Sequence, residues 1–189
     1  MQLVNLMKDG KPVKMSKRTG KAITLVDLLD EVPIDAVRFL FNMREAGSAM
    51  DFDLDLAVEQ SNQNPVFYCQ YAHARICSIL KKLNNEGIVS RMPEASELML
   101  LTSDEETDLI AHLASLTGVI VNAANTYDPA KITHYATDLA TKFHRFYNAQ
   151  RVMVDDESLM QARIFLCVCV RDTMRNVLSM LKINAPESM

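Results

Sequence analysis

The sequence is poor in the residues that form turns. Its 189 residues include five glycines, six prolines and no tryptophan. All-β sandwiches and barrels need a turn about every ten residues, so this scarcity argues against them. Hydrophobic residues make up 49% of the chain and charged residues 23%, which argues against wholesale disorder. We therefore expect long helices.

Cysteine pairs at metal-binding or redox spacing are also absent. The four cysteines, Cys69, Cys77, Cys167 and Cys169, form no Cys-x-x-Cys pair. Histidine does not occur with them or with carboxylates at the spacing of metal ligands. The sequence therefore predicts reduced core thiols, no bound metal and a cytoplasmic location.

Membrane and export signals are missing as well. A helix that spans a bilayer needs a run of about 18 or more apolar residues, and the chain has none. Its first residues also lack the basic segment followed by an apolar segment that marks a secretory signal. We expect neither a membrane span nor a membrane partner.

Negative charge dominates the chain except at its start. Residues 1–22 carry six lysines or arginines and one aspartate, a net charge of +5. The remaining residues carry 14 basic and 23 acidic side chains, a net charge of -9. A short basic segment on an acidic body suggests a local anion site rather than a general nucleic-acid coat, and we expect no DNA binding. Charge alone favours a second interpretation, a solvated, lysine-rich hairpin.

Hydrophobic periodicity and capping residues predict four long helices joined by short loops, which would pack as a bundle. Pro65 fits the first turn of one helix, and Ser103 with Glu106 forms a capping box at the start of the next. Asp128 and Pro129 mark the start of the third. The first and last of these helices are expected over residues 65–84 and 158–181.

A short β-hairpin is predicted before the helices. Residues 2–7 alternate between polar and apolar, Asp9-Gly10 is a hairpin turn pair, and residues 12–15 return as a second strand. Thr24 fits the N-cap of a short connecting helix. The expected fold class is therefore mainly α, a helical bundle preceded by a short hairpin and a polar loop.

Three alternating aspartates, Asp51, Asp53 and Asp55, suggest a calcium loop at first sight. The position that requires glycine is Leu56, however, and the position that requires glutamate is Asn62. We expect instead solvated carboxylates around two buried hydrophobic residues.

The segment with the clearest chemistry is the polar loop after the hairpin, Lys14-Met15-Ser16-Lys17-Arg18. Three cations in five residues suit an anion such as a polyphosphate leaving group, whose negative charge grows during the reaction. Neither a Walker-type Gly-x-x-x-x-Gly-Lys run nor a Gly-x-Gly-x-x-Gly run is present. The loop therefore predicts phosphate contacts of another type.

This loop resembles the Lys-Met-Ser-Lys-Ser signature of class I aminoacyl-tRNA synthetases at four of five positions. Asp172-Thr173-Met174-Arg175 is similar to the Asp-Ala-Leu-Arg motif of a helical anticodon-binding domain at two of four positions. Further segments, in order and over nearly the whole chain, resemble the bacterial arginyl-tRNA synthetase family: Arg18-Thr19-Gly20-Lys21, Asp51-Phe52-Asp53, Glu59-Gln60-Ser61-Asn62, Asn64-Pro65-Val66-Phe67-Tyr68, Gln70-Tyr71-Ala72-His73-Ala74-Arg75-Ile76, Phe143-His144-Arg145-Phe146-Tyr147-Asn148 and Ala185-Pro186-Glu187-Ser188-Met189.

The resemblance implies three regions. Residues 1–22 would be a remnant of the catalytic domain, residues 23–62 connecting helices, and residues 63–189 the helical anticodon-binding domain. The family's catalytic domain and N-terminal domain would precede residue 1 and would be partners of this chain. The whole enzyme would activate arginine with ATP and Mg2+ and transfer it to tRNA(Arg). This chain alone would be inactive and would hold no cofactor tightly.

Within the loop, the resemblance assigns roles to individual residues. Lys17 would contact the ATP phosphates, and Lys14 would support the loop or contact the phosphates more distantly. Met15 and Ser16 complete the signature. The role of Arg18, in place of the usual serine, stays open.

The resemblance also points to tRNA contacts. Unstacked anticodon bases need aromatic faces and hydrogen-bonding groups. Tyr147 is the expected stacking residue, Asn148 follows it, and Arg151 and Arg163 are candidates for phosphate contacts. Met189 joins them because the family's last residue approaches the anticodon.

Two alternatives stay open at this point. One is the equivalent region of another class I synthetase, such as the cysteinyl enzyme. The Arg-Thr-Gly continuation of the signature and the Gln-Tyr-Ala-His-Ala-Arg run argue against it. The other is a helical interaction module whose basic hairpin binds an acidic protein, and such a module should ignore the anticodon sequence.

Overall fold

The computed structural model describes residues 4–13, 24–45 and 47–189. Four helices within these ranges have 20 to 24 residues, which confirms the expected bundle. The elements are, in chain order, β1 (Val4–Lys8), β2 (Lys11–Pro12), α1 (Leu25–Glu31), α2 (Ile34–Asn42), β3 (Met50–Asp53), α3 (Leu54–Val58), α4 (Pro65–Asn85), α5 (Ala95–Leu98), α6 (Asp104–Thr126), α7 (Ala130–Ala149) and α8 (Glu157–Met180).

Side-chain caps fix where helices begin, as the sequence predicts. At α6, the Ser103 hydroxyl accepts a hydrogen bond from the Glu106 N–H at 3.3 Å. In return, Glu106 Oε2 accepts from the Ser103 N–H at 2.9 Å. Thr24 and Asp27 form the same reciprocal pair at α1. These bonds satisfy N–H groups that the first turn of a helix otherwise leaves unpaired.

The start of α4 is held by Asn64, which precedes the expected first residue, Pro65. Asn64 Oδ1 accepts from the Val66 N–H at 3.2 Å. Its Nδ2 donates to the Glu59 carbonyl at 3.0 Å. One side chain therefore ties the preceding loop to the first turn of the helix.

The ends of the last two long helices differ slightly from expectation. α7 begins at Ala130, so Pro129 is its N-cap residue rather than its first helical residue. Asp128 still caps the helix, because its Oδ1 accepts from the Ala130 N–H at 3.1 Å. α8 begins and ends one residue earlier than the periodicity predicts.

The third strand of the sheet is not predicted by the sequence. β3 pairs with β1 in parallel, and the strand order is β2-β1-β3. Asn5 Nδ2 donates to Asp51 Oδ1 at 2.9 Å. Asp55 Oδ2 accepts from the Asp9 N–H at 2.6 Å. The two hydrophobic residues between the aspartates are buried as expected, but the carboxylates also hold the sheet to the segment that follows it.

One contiguous core runs from the sheet through the short helices into the bundle. Phe39 of α2, Phe52 of β3 and Phe143 of α7 are all fully buried in it. In the bundle, α4, α7 and α8 pack against one another, and α6 lies mainly along α7. This arrangement places α4 beside α7.

By length and composition only, helix α6 is long and apolar enough to cross a membrane, contrary to the prediction that the chain has no such segment. Its residues 109–126 include no Asp, Glu, Lys or Arg. Helices at the centre of a protein core can meet the same criterion, although only 11% of this apolar window is buried. In the structure Leu109 is buried, and His112 Nε2 lies 3.1 Å from the Tyr135 carbonyl of α7.

Removing the α6 cap should measurably destabilise the fold. Ser103→Ala is expected to lower the free energy of unfolding by about 1 kcal/mol, because an N–H of the first turn loses its acceptor. Urea denaturation followed by circular dichroism measures the change. Ser115→Ala, the same substitution in the middle of α6, serves as the control. Equal midpoints for the two variants would contradict the assigned cap.

Candidate nucleic-acid interface

Two neighbouring helices present a row of aromatic and cationic side chains. Phe67, Tyr71 and Arg75 stand at four-residue intervals on α4 and therefore share one face of it. His144 and Tyr147 come from α7, which packs beside α4. We call these five residues the aromatic surface.

Three rings of the aromatic surface, those of Phe67, Tyr71 and His144, lie close to parallel. The Phe67 and Tyr71 centroids are 6.3 Å apart with an interplanar angle of 3°. Tyr71 and His144 are 6.0 Å apart at 27°. Tyr71 is still 37% exposed, so a further planar group can stack there.

Arg75 joins the two helices across this surface. Its Cζ lies 4.4 Å from the Tyr147 ring centroid and 6.0 Å from the Tyr71 ring centroid. A guanidinium over an aromatic face is attracted by the negative face of the ring. Its planar array of N–H donors also matches phosphate oxygens. The site therefore offers stacking faces and a cation within a few ångströms of each other.

His144 is a neutral member of the aromatic surface. Burial, assisted by the nearby charge of Arg75, lowers the pKa of His144 from 6.5 to about 4. Its ring centroid lies 5.0 Å from that of Tyr68. Its buried Nε2 has no hydrogen-bond partner among the described residues. At neutral pH His144 therefore contributes a flat ring and no charge.

The depressed pKa of His144 predicts that the fold loses stability in mild acid. Between pH 6.5 and about 4 the unfolded chain binds this proton and the folded chain does not. The contribution of His144 to stability is therefore complete above pH 6.5 and disappears progressively as the pH falls towards 4. Urea unfolding of the native chain and His144→Phe at pH 7 and pH 5 tests this. The variant should lose less stability, and equal losses would contradict the assignment.

A groove of about 510 Å³ continues from Tyr147 along the loop between α7 and α8. Lys82 of α4 and residues 147–153 line it. The groove brings together three predicted tRNA contacts, because Asn148 and Arg151 lie in it with Tyr147. The residues described in its lining include two cations and no carboxylate. This groove therefore suits a nucleotide better than a cationic ligand.

Arg163 does not lie where its predicted role requires. It is only 8% exposed, and its Nε donates to Glu106 Oε1 at 2.7 Å. Nη1 donates to the Arg151 carbonyl at 2.7 Å, and Nη2 to Gln150 Oε1 at 2.9 Å. All three guanidinium nitrogens are used inside the fold, so we no longer assign Arg163 to a phosphate. Instead, it holds the loop that carries Arg151.

Met189 lies beyond the opposite end of the aromatic surface, in a second cavity. This cavity has a volume of about 400 Å³, and Phe67, Gln70 and Asp35 contribute to its lining. Met189 is 56% exposed there. The structure therefore places Met189 next to Phe67 and not in the groove with Tyr147.

The residues with predicted ATP contacts fall outside the described ranges. They are Lys14, Met15, Ser16, Lys17 and Arg18. Among the residues that the structure does describe, no group of three or more His, Cys, Asp or Glu side chains could hold a metal ion. All four cysteines are free thiols, and burial raises the pKa of Cys69 and of Cys167 to about 12.

Tyr71 and Arg75 are not among the contacts predicted from the sequence, although the sequence contains one signal for them. Their four-residue spacing places both on one face of a predicted helix. The meeting of that face with Tyr147 depends on how α7 packs on α4, two segments far apart in the chain. Spacing within a helix carries no information about that packing.

A helical bundle that presents aromatic rings and an arginine where two of its helices meet has the groups that unpaired bases and their phosphates require. Residues 69–189 match the family model described as the DALR anticodon binding domain. The chain belongs to this family.

Curated relatives match the whole chain. The arginine–tRNA ligase of Ruminiclostridium cellulolyticum is 51% identical over 188 residues, which cover 100% of this chain and 33% of that protein. The arginine–tRNA ligase of Caldanaerobacter subterraneus is 52% identical over 189 residues, 100% of this chain and 34% of that protein. The chain therefore spans about a third of the length of these relatives.

Solved structures share the fold. A structure of an arginyl-tRNA synthetase from Campylobacter jejuni aligns with 100% of this chain and 40% of its own, with a TM-score of 0.82 and 28% identity. The arginyl-tRNA synthetase of Thermus thermophilus aligns over 97% of this chain and 34% of its own, with a TM-score of 0.73 and 23% identity. These matches confirm the expected fold class and the resemblance to the C-terminal part of arginyl-tRNA synthetases.

The motif related to the family's name has an internal role in this chain. Asp172 Oδ1 accepts from Arg175 Nη2 at 3.0 Å and from Arg171 Nε at 2.9 Å. Met174 between them is fully buried. The motif therefore places a partly exposed ion pair on one turn of α8, and Met174 fixes that turn to the core.

Proposed function

We propose that this chain is the anticodon-binding part of an arginine–tRNA ligase and that it binds the anticodon loop of tRNA(Arg). The observation that carries this proposal is Arg75 over the Tyr147 ring, next to the exposed face of Tyr71. Stacking platforms beside a cation are what unpaired bases and their phosphates require. Membership of the DALR family and the names of the relatives support the proposal.

Each part of the surface has a distinct role in this proposal. Bases would stack on Tyr71 and Tyr147, while Arg75 and Arg151 would contact neighbouring phosphates. The exposed amide of Asn148 can both donate to and accept from a base edge. Outside residues 1–22 the chain has a net charge of -9, which disfavours general phosphate attraction. We therefore expect weak binding by this chain alone, dominated by local contacts.

The remaining regions would serve the whole enzyme. In this proposal residues 1–22 complete its catalytic domain, with Lys14 and Lys17 at the phosphates of ATP and its Mg2+. Residues 23–62 connect that domain to the anticodon-binding domain formed by residues 63–189. The chain alone would be inactive, and the enzyme would act in the cytoplasm.

The proposal predicts that binding depends on the anticodon. An arginine tRNA should bind about tenfold more tightly than the same tRNA changed at its middle anticodon base, because a mismatched base leaves polar groups unpaired. Titration of the chain at moderate salt, followed by fluorescence anisotropy, measures both affinities. Equal affinities would mean that only phosphates are recognised and would contradict the proposal.

The alternatives predict different results in the same titration. A helical interaction module for an acidic protein would bind both tRNAs equally or neither. The equivalent region of a cysteinyl enzyme would prefer a cysteine tRNA. The matched relatives carry the name arginine–tRNA ligase, which favours the arginine enzyme.

A further inference from the structure

The segment after α8, residues 181–189, follows a defined path back across the bundle. Lys182 has a φ of 57°, in the left-handed region, and this turns the chain away from the helix axis. The Ile183 N–H then donates to the Leu178 carbonyl at 3.0 Å, and the Ile183 side chain is buried. We call residues 181–189 the tail.

Asp35 of α2 is the centre of the hydrogen bonds that hold the tail. Its Oδ2 accepts from the Asn184 N–H at 3.2 Å, from Asn184 Nδ2 at 3.0 Å and from Gln70 Nε2 at 3.1 Å. Gln70 Nε2 also donates to the Asn184 carbonyl at 2.9 Å. Groups from α2, α4 and the tail therefore form one cluster. We call Asp35, Gln70 and Asn184 the tail clasp.

Two further bonds continue the attachment on both sides of the clasp. Arg38 Nη1 donates to the Lys182 carbonyl at 2.5 Å. His73 Nδ1 donates to the Pro186 carbonyl at 2.8 Å. After Pro186 the tail continues to Met189, in the cavity beside Phe67. The position of Met189 next to the aromatic surface therefore depends on bonds made several residues earlier.

We propose that Asp35 is a positioning residue for RNA binding, which acts by holding the tail so that Met189 remains beside the aromatic surface. This inference rests on the proposed function. Asp35 is the charged member of the clasp, and hydrogen bonds to a carboxylate are stronger than those between neutral groups. Because α2 lies between the hairpin and the bundle in the chain, the clasp makes one end of the RNA-binding surface depend on the connecting segment.

A double-mutant cycle tests this role. The four chains are the native chain, Asp35→Ala, a chain lacking residues 187–189, and the combination of both changes. Each is titrated with the anticodon stem–loop of an arginine tRNA. Asp35→Ala and the deletion should each weaken binding about tenfold, since the first releases the tail and the second removes Met189 itself. In the shortened chain Asp35→Ala should have no further effect.

Control variants separate positioning from general destabilisation. Asp30→Ala makes the same charge change on the exposed face of α1 and should bind as the native chain does. Asp35→Asn keeps an acceptor oxygen and should recover part of the lost affinity. Hydrogen exchange of the Ile183 and Asn184 amides should accelerate in Asp35→Ala, because the tail is released.

Several outcomes would overturn the proposal. If the effects of Asp35→Ala and of the deletion multiply, Asp35 acts independently of the tail. Native affinity in either single variant would exclude a positioning role as well. Failure of the proposed function gives a different result from failure of the positioning role. In that case Tyr147→Ala and Arg75→Ala would also bind the stem–loop as tightly as the native chain.

Discussion

Tyr147→Ala is expected to weaken binding of the anticodon stem–loop by about 10- to 100-fold. Stacking of a base on an aromatic side chain is worth about 1–3 kcal/mol, and this variant removes the platform. It also removes the ring that lies 4.4 Å from the Arg75 guanidinium. Tyr147→Phe keeps the ring and should retain most of the affinity. Fluorescence anisotropy with a labelled stem–loop measures all three chains.

Tyr127 supplies a matched control for this experiment. It is 91% exposed and lies before the start of α7, and the first residue of that helix, Ala130, is itself about 25 Å along the helix from Tyr147. Tyr127→Ala should therefore leave binding unchanged. Thermal unfolding of each variant shows whether it is folded at the assay temperature, because Tyr147 also packs partly on the core. Equal affinities for the two alanine variants would mean that the aromatic surface is not the RNA site.

Arg163→Met is expected to lower the free energy of unfolding by about 3–5 kcal/mol, because it leaves a buried carboxylate without its partner. That carboxylate belongs to Glu106, which is 1% exposed. Glu106 binds Arg163 with Oε1 and caps α6 with Oε2, so one side chain joins two helices. The loop that carries Arg151 also loses its donor. Urea denaturation followed by circular dichroism measures the loss.

Two comparisons make this second prediction specific. Arg175→Met removes an exposed ion pair on the same helix, with Asp172, and should cost less than about 1 kcal/mol. Adding Glu106→Gln to Arg163→Met removes the unpaired charge and should recover part of the stability. If Arg163→Met costs no more than Arg175→Met, the internal ion pair does not stabilise the fold as described.

Local signals in the sequence predict most of the helices because their causes are local. A capping box such as Ser103 and Glu106 acts within four residues, and helical periodicity repeats within one segment. The parallel pairing of β1 with β3 is different. It joins Asn5 to Asp51, and although buried and exposed residues alternate in β3, that alternation does not show with which strand β3 pairs. Such pairing follows from the assembled core, which local patterns do not describe.

The candidate site shows the same difference between what local signals predict and what depends on the assembled fold. The expected roles of Tyr147, Asn148 and Arg151 remain proposals, and the structure brings these residues into one groove. The sequence itself contains a signal against a phosphate contact for Arg163, because this residue stands four residues after Leu159 and three before Leu166. That spacing places it on the apolar face of α8, where an arginine needs an internal partner.

The place of α8 in the core has a consequence for how the chain is made. Met174, Val177 and Leu178 of this helix are fully buried, yet α8 is the last of the four long helices to leave the ribosome. Until it is released, α4 and α7 have no partner for part of their apolar faces. A nascent chain that stops before α8 would expose those faces, and we expect cellular proteases to degrade it.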